Sequence, residues 1–238
     1  MKSYLPLFVL LVVLPCLGCP DSPPQQKPIS GQTDSREAVV DPEQVVDPEQ
    51  DKKQIHDCFY SYQRAILTDK GDEAFQCLDK RTRDYYAKIL QLVKTANRDE
   101  VEQLPLLDKM QVLTMRNNVP KSELLSMTGD ELLIYSINHG MVGKNGTSNL
   151  EAGPITVEGE FGKVELVVRG KNSGMTYHFY KEDGQWKLDL TSFFSVAHAA
   201  LNAVLQQSGQ SENDFIVDLI RITSRTKQND DIWEPIGE

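Results

Sequence analysis

Residues 175–190, MTYHFYKEDGQWKLDL, decide the fold. Two alternating apolar–polar runs flank Glu182-Asp183-Gly184-Gln185. Asp-Gly between such runs is a strong hairpin signal, because a type I′ turn needs φ > 0 at both central residues. A two-residue turn at Asp183-Gly184 predicts that Lys181 pairs with Trp186, Phe179 with Leu188 and Tyr177 with Leu190. The same register opposes His178 to Asp189 and Tyr180 to Lys187. One face is then aromatic and aliphatic, the other polar with opposite charges matched. A slip of one residue would mix the faces, so turn chemistry and pattern agree on one register.

Working outward, residues 155–158, 161–169, 175–181 and 185–190 read as the four strands of a meander, entered through a loop at 143–153. An even-length loop at 171–174 would set Val168 and Leu166 beside Tyr177 and Phe179, extending the apolar face. Upstream the apolar period becomes helical. Residues 51–70 carry Ile55, Phe59, Tyr62 and Ile66 on one stripe, Gly71 breaks the helix, and 72–78 make a second, shorter one. Asp79 is placed to cap a helix over 80–96 whose face is Tyr85, Ile89, Leu92 and Val93. Pro105 and Pro120 start two more, through about 115 and 126. Thr128 and Glu131 have capping-box spacing before a helix that Gly140 stops. Two helices close the chain: 192–207, ended by Gly209, and 213–226, capped by Ser211. Ile232, Trp233 and Ile236 interrupt a polar end and are expected to pack back on the body. The pattern predicts an α+β fold: N-terminal helices packed on a curved four-strand antiparallel meander, followed by two C-terminal helices.

Helices followed by a meander ending in Phe179-Tyr180-Lys181-Glu182-Asp183-Gly184-Gln185-Trp186-Lys187-Leu188-Asp189-Leu190 resemble the nuclear-transport-factor-2-like superfamily, also called SnoaL-like or ketosteroid-isomerase-like, over about residues 51–190. The resemblance implies a curved sheet wrapped around a helix into a cone with a pocket. It implies no single activity, since that superfamily hosts isomerases, dehydratases, hydrolases and plain binding domains. The helical segment 97–139 and the chain after residue 190 depart from the pattern, and would fill or cover such a pocket.

Residues 1–18 read as a signal peptide. Lys2 gives a positive start, and the apolar run 5–14 is too short to span a membrane and ends at Cys16-Leu17-Gly18-Cys19. Leu-Gly before a Cys resembles the lipobox of bacterial lipoproteins, with Cys16 where that family usually has Leu. The resemblance implies a lipid on Cys19, anchorage in the cell envelope and a domain facing the periplasm or exterior. Ordinary secretion with cleavage nearby is the alternative. Residues 19–50 read as a disordered acidic tether. They hold Pro20, Pro23, Pro24, Pro28, Pro42 and Pro48, no aromatic residue, and a duplicated Val-Val-Asp-Pro-Glu-Gln at 39–44 and 45–50. Such composition buries too little apolar surface to offset its ordering entropy. Residues 51–207 form the α+β domain, and 208–238 a helical extension. The chain carries net charge −10, and without a basic stripe nucleic acid is not expected as a partner.

His56, His139, His178 and His198 are scattered with no H-x-x-x-H or C-x-x-C spacing, so neither metal nor cofactor is expected. Cys58 and Cys77 lie on adjacent predicted helices. A bridge would close a loop worth about 3 kcal/mol, and two buried thiols are the alternative. Tyr62, Tyr85, Tyr177, Phe179 and Trp186 project between sheet and helices, where they line a ligand pocket or simply fill the core. His178 and Asp189 fall on the outward face as an exposed ion pair; the alternative is a catalytic dyad. The sequence thus predicts a membrane-anchored, non-enzymatic binding or scaffold domain for a small apolar ligand or a cell-envelope protein. A pocket enzyme performing proton transfer, dehydration or hydrolysis is the second reading.

Overall fold

The chain reverses at Asp183 (φ 49°) and Gly184 (φ 75°), both in the left-handed region that a I′ turn demands. In this computed structural model, which describes residues 48–141, 144–224 and 231–237, the hairpin pairs Lys181 with Trp186, Tyr180 with Lys187, Phe179 with Leu188 and His178 with Asp189. The expected signal peptide, Cys19 and tether residues 19–47 lie outside the described residues. The strands are β1 (Leu150–Glu158), β2 (Phe161–Val168), β3 (Lys171–Glu182) and β4 (Gln185–Asp189), an antiparallel sheet in sequence order.

Three strand expectations need correction. The Tyr177–Leu190 pair does not form, because β4 stops at Asp189 and a 3-10 turn, Leu190–Phe193, follows. Asp189 causes this: its carboxylate accepts from the Thr191 backbone N–H at 2.8 Å, capping the turn instead of extending the ladder. The β2–β3 reversal falls at Arg169 (φ 52°) and Gly170 (φ 73°), not at 171–174. Val164 therefore opposes Tyr177, and Gly162 opposes Phe179. Ser173 and Gly174 instead form an irregularity inside β3, where the Ser173 hydroxyl donates to the Leu166 carbonyl at 2.7 Å. Finally, β1 begins at Leu150, inside the expected loop, after a short helix. Binary pattern survives all three: Val164, Leu166, Phe179, Trp186 and Leu188 are buried on one face.

That face is covered by α1 (Pro48–Leu67), which starts inside the expected tether and contacts both β1 and β4. Its stripe of Ile55, Phe59, Tyr62 and Ile66 is buried, as the period predicts. Gly162 permits the close approach, since a Cβ there would lie 2.4 Å from Ile55 Cδ1. After α2 (Gly71–Phe75), the chain runs beside β4: the Leu188 N–H donates to the Cys77 carbonyl at 2.8 Å and the Asp79 N–H to the Leu188 carbonyl at 3.0 Å. Asp79 then caps α3 (Lys80–Thr95), accepting from the Thr82 N–H. The buried face of α3 is Tyr86, Ile89, Leu90 and Val93, rotated from the expected one, with Tyr85 and Leu92 half-buried.

The remaining helices are α4 (Arg98–Glu102), α5 (Leu106–Asn118), α6 (Lys121–Ser126), α7 (Gly129–Asn138), α8 (Lys144–Thr147), α9 (Phe194–Ser208) and α10 (Glu212–Thr223). The Thr128–Glu131 capping box on α7 forms as expected; a second, Asn97–Glu100, starts the unanticipated α4. The α2, α3 and α7 helices pack together, and α5 packs against α3, α9 and α10. Gly209 (φ 66°) ends α9 and Ser211 caps α10. Ile232 is buried, and Trp233 and Ile236 pack against the core. The buried Arg116 joins these parts, donating to the carbonyls of Leu92, Val93, Ala96 and Ile232 at 2.5–3.2 Å. The fold is α+β, with its sheet covered by helix on one face.

Candidate ligand-binding site

Side chains three apart on a helix, or two apart on a strand, share a face. Phe59 and Tyr62 on α1, and Tyr177 and Phe179 on β3, therefore point into the same interior. The 3-10 turn and the start of α9 add Phe193 and Phe194; α3 adds Tyr85 and Tyr86. Ring centroids step from Phe59 to Tyr177 (6.1 Å) and on to Phe193 (5.9 Å), and from Phe194 to Tyr85 (4.5 Å) and on to Tyr86 (5.6 Å). Most contacts are tilted or edge-on, which the aromatic quadrupole favours.

The hydroxyls of these tyrosines divide into two groups. Tyr60 accepts from the Ala152 N–H at 3.2 Å, and Tyr85 donates to Asp108 Oδ1 at 2.9 Å, with Lys88 on the other carboxylate oxygen. Tyr62, Tyr86 and Tyr177 make no hydrogen bond among the described residues. Tyr62 is only 5% exposed and Tyr86 8%. Burial raises the Tyr62 phenol well above its usual range, and neighbouring Tyr177 and Tyr86 raise it further. Burial pushes Tyr86 and Tyr177 up to about 12. At neutral pH all three are uncharged donors in an apolar surround. Among the described residues the side-chain atoms sealed from solvent without a partner are Asp51 Oδ2, Asp69 Oδ1 and Arg83 Nε, and none is a tyrosine hydroxyl. The hydroxyls of Tyr62, Tyr86 and the half-buried Tyr177 thus keep an opening to solvent, through which an oxygen or nitrogen acceptor reaches them.

Of the five residues expected here, the structure brings together Tyr62 and Tyr177. Tyr85 stands beside them with its hydroxyl committed to Asp108, which also explains the rotation of α3. Phe179 is fully buried in the sheet core. Trp186 is buried, and its indole N–H donates to Asp51 Oδ1 at 2.8 Å, an oxygen that also accepts from Lys181 Nζ at 2.8 Å. Burial alone would raise the Asp51 carboxyl, but the Lys181 and Trp186 bonds and the Lys181 charge together hold it below its usual value. Trp186 is thus an anchor of α1 on the hairpin rather than a free wall of the site. Tyr86 was missed from the sequence, although Tyr86, Ile89, Leu90 and Val93 make an equally good helical stripe. No sequence signal separates that stripe from the one starting at Tyr85.

His178 and Asp189 are register partners but not an exposed ion pair. Asp189 is 4% exposed, and its Oδ1 takes both the Thr191 N–H and the Thr191 hydroxyl. His178 is half-buried, edge-on to Phe161 with centroids 5.2 Å apart. Across the same face, Arg81 of α3 lies 3.6 Å over the Tyr180 ring. The expected surface pair fails because the turn after β4 needs the carboxylate more than the imidazole does.

Cys58 and Cys77 are free, half-buried thiols, with the Cys58 thiol donating to the Cys77 carbonyl at 3.6 Å. Among the described residues no group of three or more His, Cys, Asp or Glu side chains is placed to hold a metal ion. No described helix is long and apolar enough to cross a membrane. The chain matches no family model, no curated protein and no solved structure.

Proposed function

We propose that the chain is a membrane-anchored bacterial lipoprotein whose α+β domain is a nuclear-transport-factor-2-like binding module. Its ligand is small and largely apolar, with one polar acceptor that reaches the tyrosines. The observation that carries this reading is the set of unpartnered hydroxyls on Tyr62, Tyr86 and Tyr177 within an aromatic surround. Contact of α1 with both edge strands accords with a sheet curved around a helix. The ionisable neighbours that act on Tyr62 are Tyr177, Tyr86 and Cys77, with no carboxylate or histidine among them. Phenols held neutral up to about pH 12 are poor acid–base catalysts near neutrality. This favours binding over proton transfer or hydrolysis. A cell-envelope protein docking on the same module is the other partner class the reading admits.

Native mass spectrometry of the purified chain tests the ligand. The expected result is a co-purified small molecule that is retained by wild type and lost from the Tyr62→Phe/Tyr177→Phe variant. An empty wild type, or equal retention by the variant, overturns the site. The anchor is tested separately: Cys19→Ser should move the protein out of the detergent phase, and unchanged partitioning would refute lipidation.

A further inference from the structure

Cys58 and Cys77 are brought together beside the aromatic site, on α1 and on the segment next to β4, and neither thiol shares a hydrogen bond with its tyrosines. Cys58 sits on α1. Cys77 sits on the segment beside β4, its carbonyl accepting both from the Leu188 N–H at 2.8 Å and from the Cys58 thiol at 3.6 Å. Helix on one side and strand pairing on the other fix both backbones. Neither thiol is sealed: each is half-exposed, and the Cys77 thiol donates to the Glu73 carbonyl at 3.6 Å on the outer side. The surroundings are asymmetric in charge. Lys187 reaches the carbonyl of Gln76, next in sequence to Cys77, at 2.5 Å, and Arg64 is a second cation acting on Cys77, opposed by the single carboxylate of Glu73. A thiol that is accessible, flanked by cations and adjacent to a second cysteine has the surroundings of a redox-reactive site rather than an inert core cysteine.

We propose that Cys77 and Cys58 form a thiol–disulfide exchange site, in which Cys77 attacks a small-molecule disulfide of the glutathione class and Cys58 resolves the adduct. The Cys77 thiolate bonds to one sulfur of that disulfide, whose S–S bond breaks and releases one thiolate, which takes up a proton. Cys58 then loses its proton and bonds to the Cys77 sulfur, expelling the second small thiol. The protein dithiol is oxidised by two electrons and the small disulfide is reduced to two thiols. The order of attack follows from the surroundings. The side-chain interaction with Cys58, then Lys187 and Arg64, hold Cys77 below the usual thiol value against burial and the Glu73 carboxylate, whereas the same interaction, then burial, pushes Cys58 far above it. The product joins α1 to the strand-like segment beside β4.

The test treats the reduced full chain with oxidised glutathione and maps the products by peptide mass spectrometry. The expected end product is a Cys58–Cys77 cross-link without retained glutathione. Cys58→Ser, whose hydroxyl keeps a donor to Cys77, should trap a mixed disulfide on Cys77. Cys77→Ser should modify Cys58 slower by about tenfold or more, since attack requires the thiolate. In wild type, alkylation of Cys77 by iodoacetamide should rise with pH at a midpoint below the free-cysteine value of about 8.5. Glutathione left on either residue of wild type, faster modification at Cys58, or a midpoint at or above the free value would each overturn the proposal. None of these readouts depends on a ligand at the tyrosines, so failure here and failure of the binding reading are separate results.

Discussion

Around Arg116 every polar partner is spent, whereas the hydroxyls of the buried Tyr62 and Tyr86 and of the half-buried Tyr177 have no protein partner. The guanidinium supplies donors to the last carbonyls of α3, of which Leu92 also accepts from the Ala96 N–H, and to the Ile232 carbonyl. Burial lowers Arg116 to about 10, so the cation persists at neutral pH because its hydrogen bonds require it. The Asp51 carboxylate lies between the two cases: Oδ1 is held by Trp186 and Lys181, while Oδ2 is buried without a partner. Tyr85, whose hydroxyl is spent on Asp108, is the satisfied phenol of the same region. The idle hydroxyls differ in keeping an opening to solvent, and that difference separates a structural polar cluster from a receptive one.

Mutations can sharpen or break that contrast. The largest effect is expected at Trp186→Ala, which removes a buried aromatic and one of the two donors to Asp51, for a loss of about 3–5 kcal/mol. Denaturant unfolding would measure it, and a loss under about 1 kcal/mol would show that the hairpin is not anchored there. Arg116→Leu should cost about 3 kcal/mol by leaving several carbonyls unpaired, again read from unfolding curves. A near-neutral result would dissolve the contrast. For the tyrosines, near-UV titration should show Tyr86 and Tyr177 ionising near 12, after the ordinary tyrosines at about 10. Because their folded values are raised, the stability they contribute is fully present below about pH 10 and is lost as pH rises through 12. Tyr85→Phe should cost about 1 kcal/mol, the usual worth of a single partly exposed hydrogen bond. The smallest effect is expected at Tyr62→Phe, under about 0.5 kcal/mol without ligand, because the hydroxyl loses no protein partner. A Tyr62→Phe cost equal to that of Tyr85→Phe would mean that both hydroxyls are structural.

Legibility in the sequence follows the range of the interactions. The hairpin was readable because Asp183-Gly184 and the alternation around it are local and redundant. The Asp79 cap, the Thr128–Glu131 box and the α1 stripe were readable for the same reason. What failed had two local solutions. Arg169-Gly170 and the stretch 171–174 both serve as turns, and the choice rests on where Ser173 finds an acceptor across the sheet. Helix α3 has two overlapping apolar stripes one residue apart, and Asp108 on α5 selects between them by taking the Tyr85 hydroxyl. His178 and Asp189 stood opposite as predicted, yet Asp189 serves a turn whose demand the strand pattern does not reveal.

The sequence by itself determined the α+β class, the β3–β4 register, the faces of α1 and the caps of most long helices. All of these rest on contacts within a few residues, where periodicity and turn chemistry leave one answer. Tertiary structure alone decided which hydroxyls are satisfied, which carboxylates are buried, and that Cys58 meets Cys77. Those outcomes depend on what arrives from elements 19 to 135 residues away. A buried polar group's state is set by its nearest partner in space, and only packing brings that partner there.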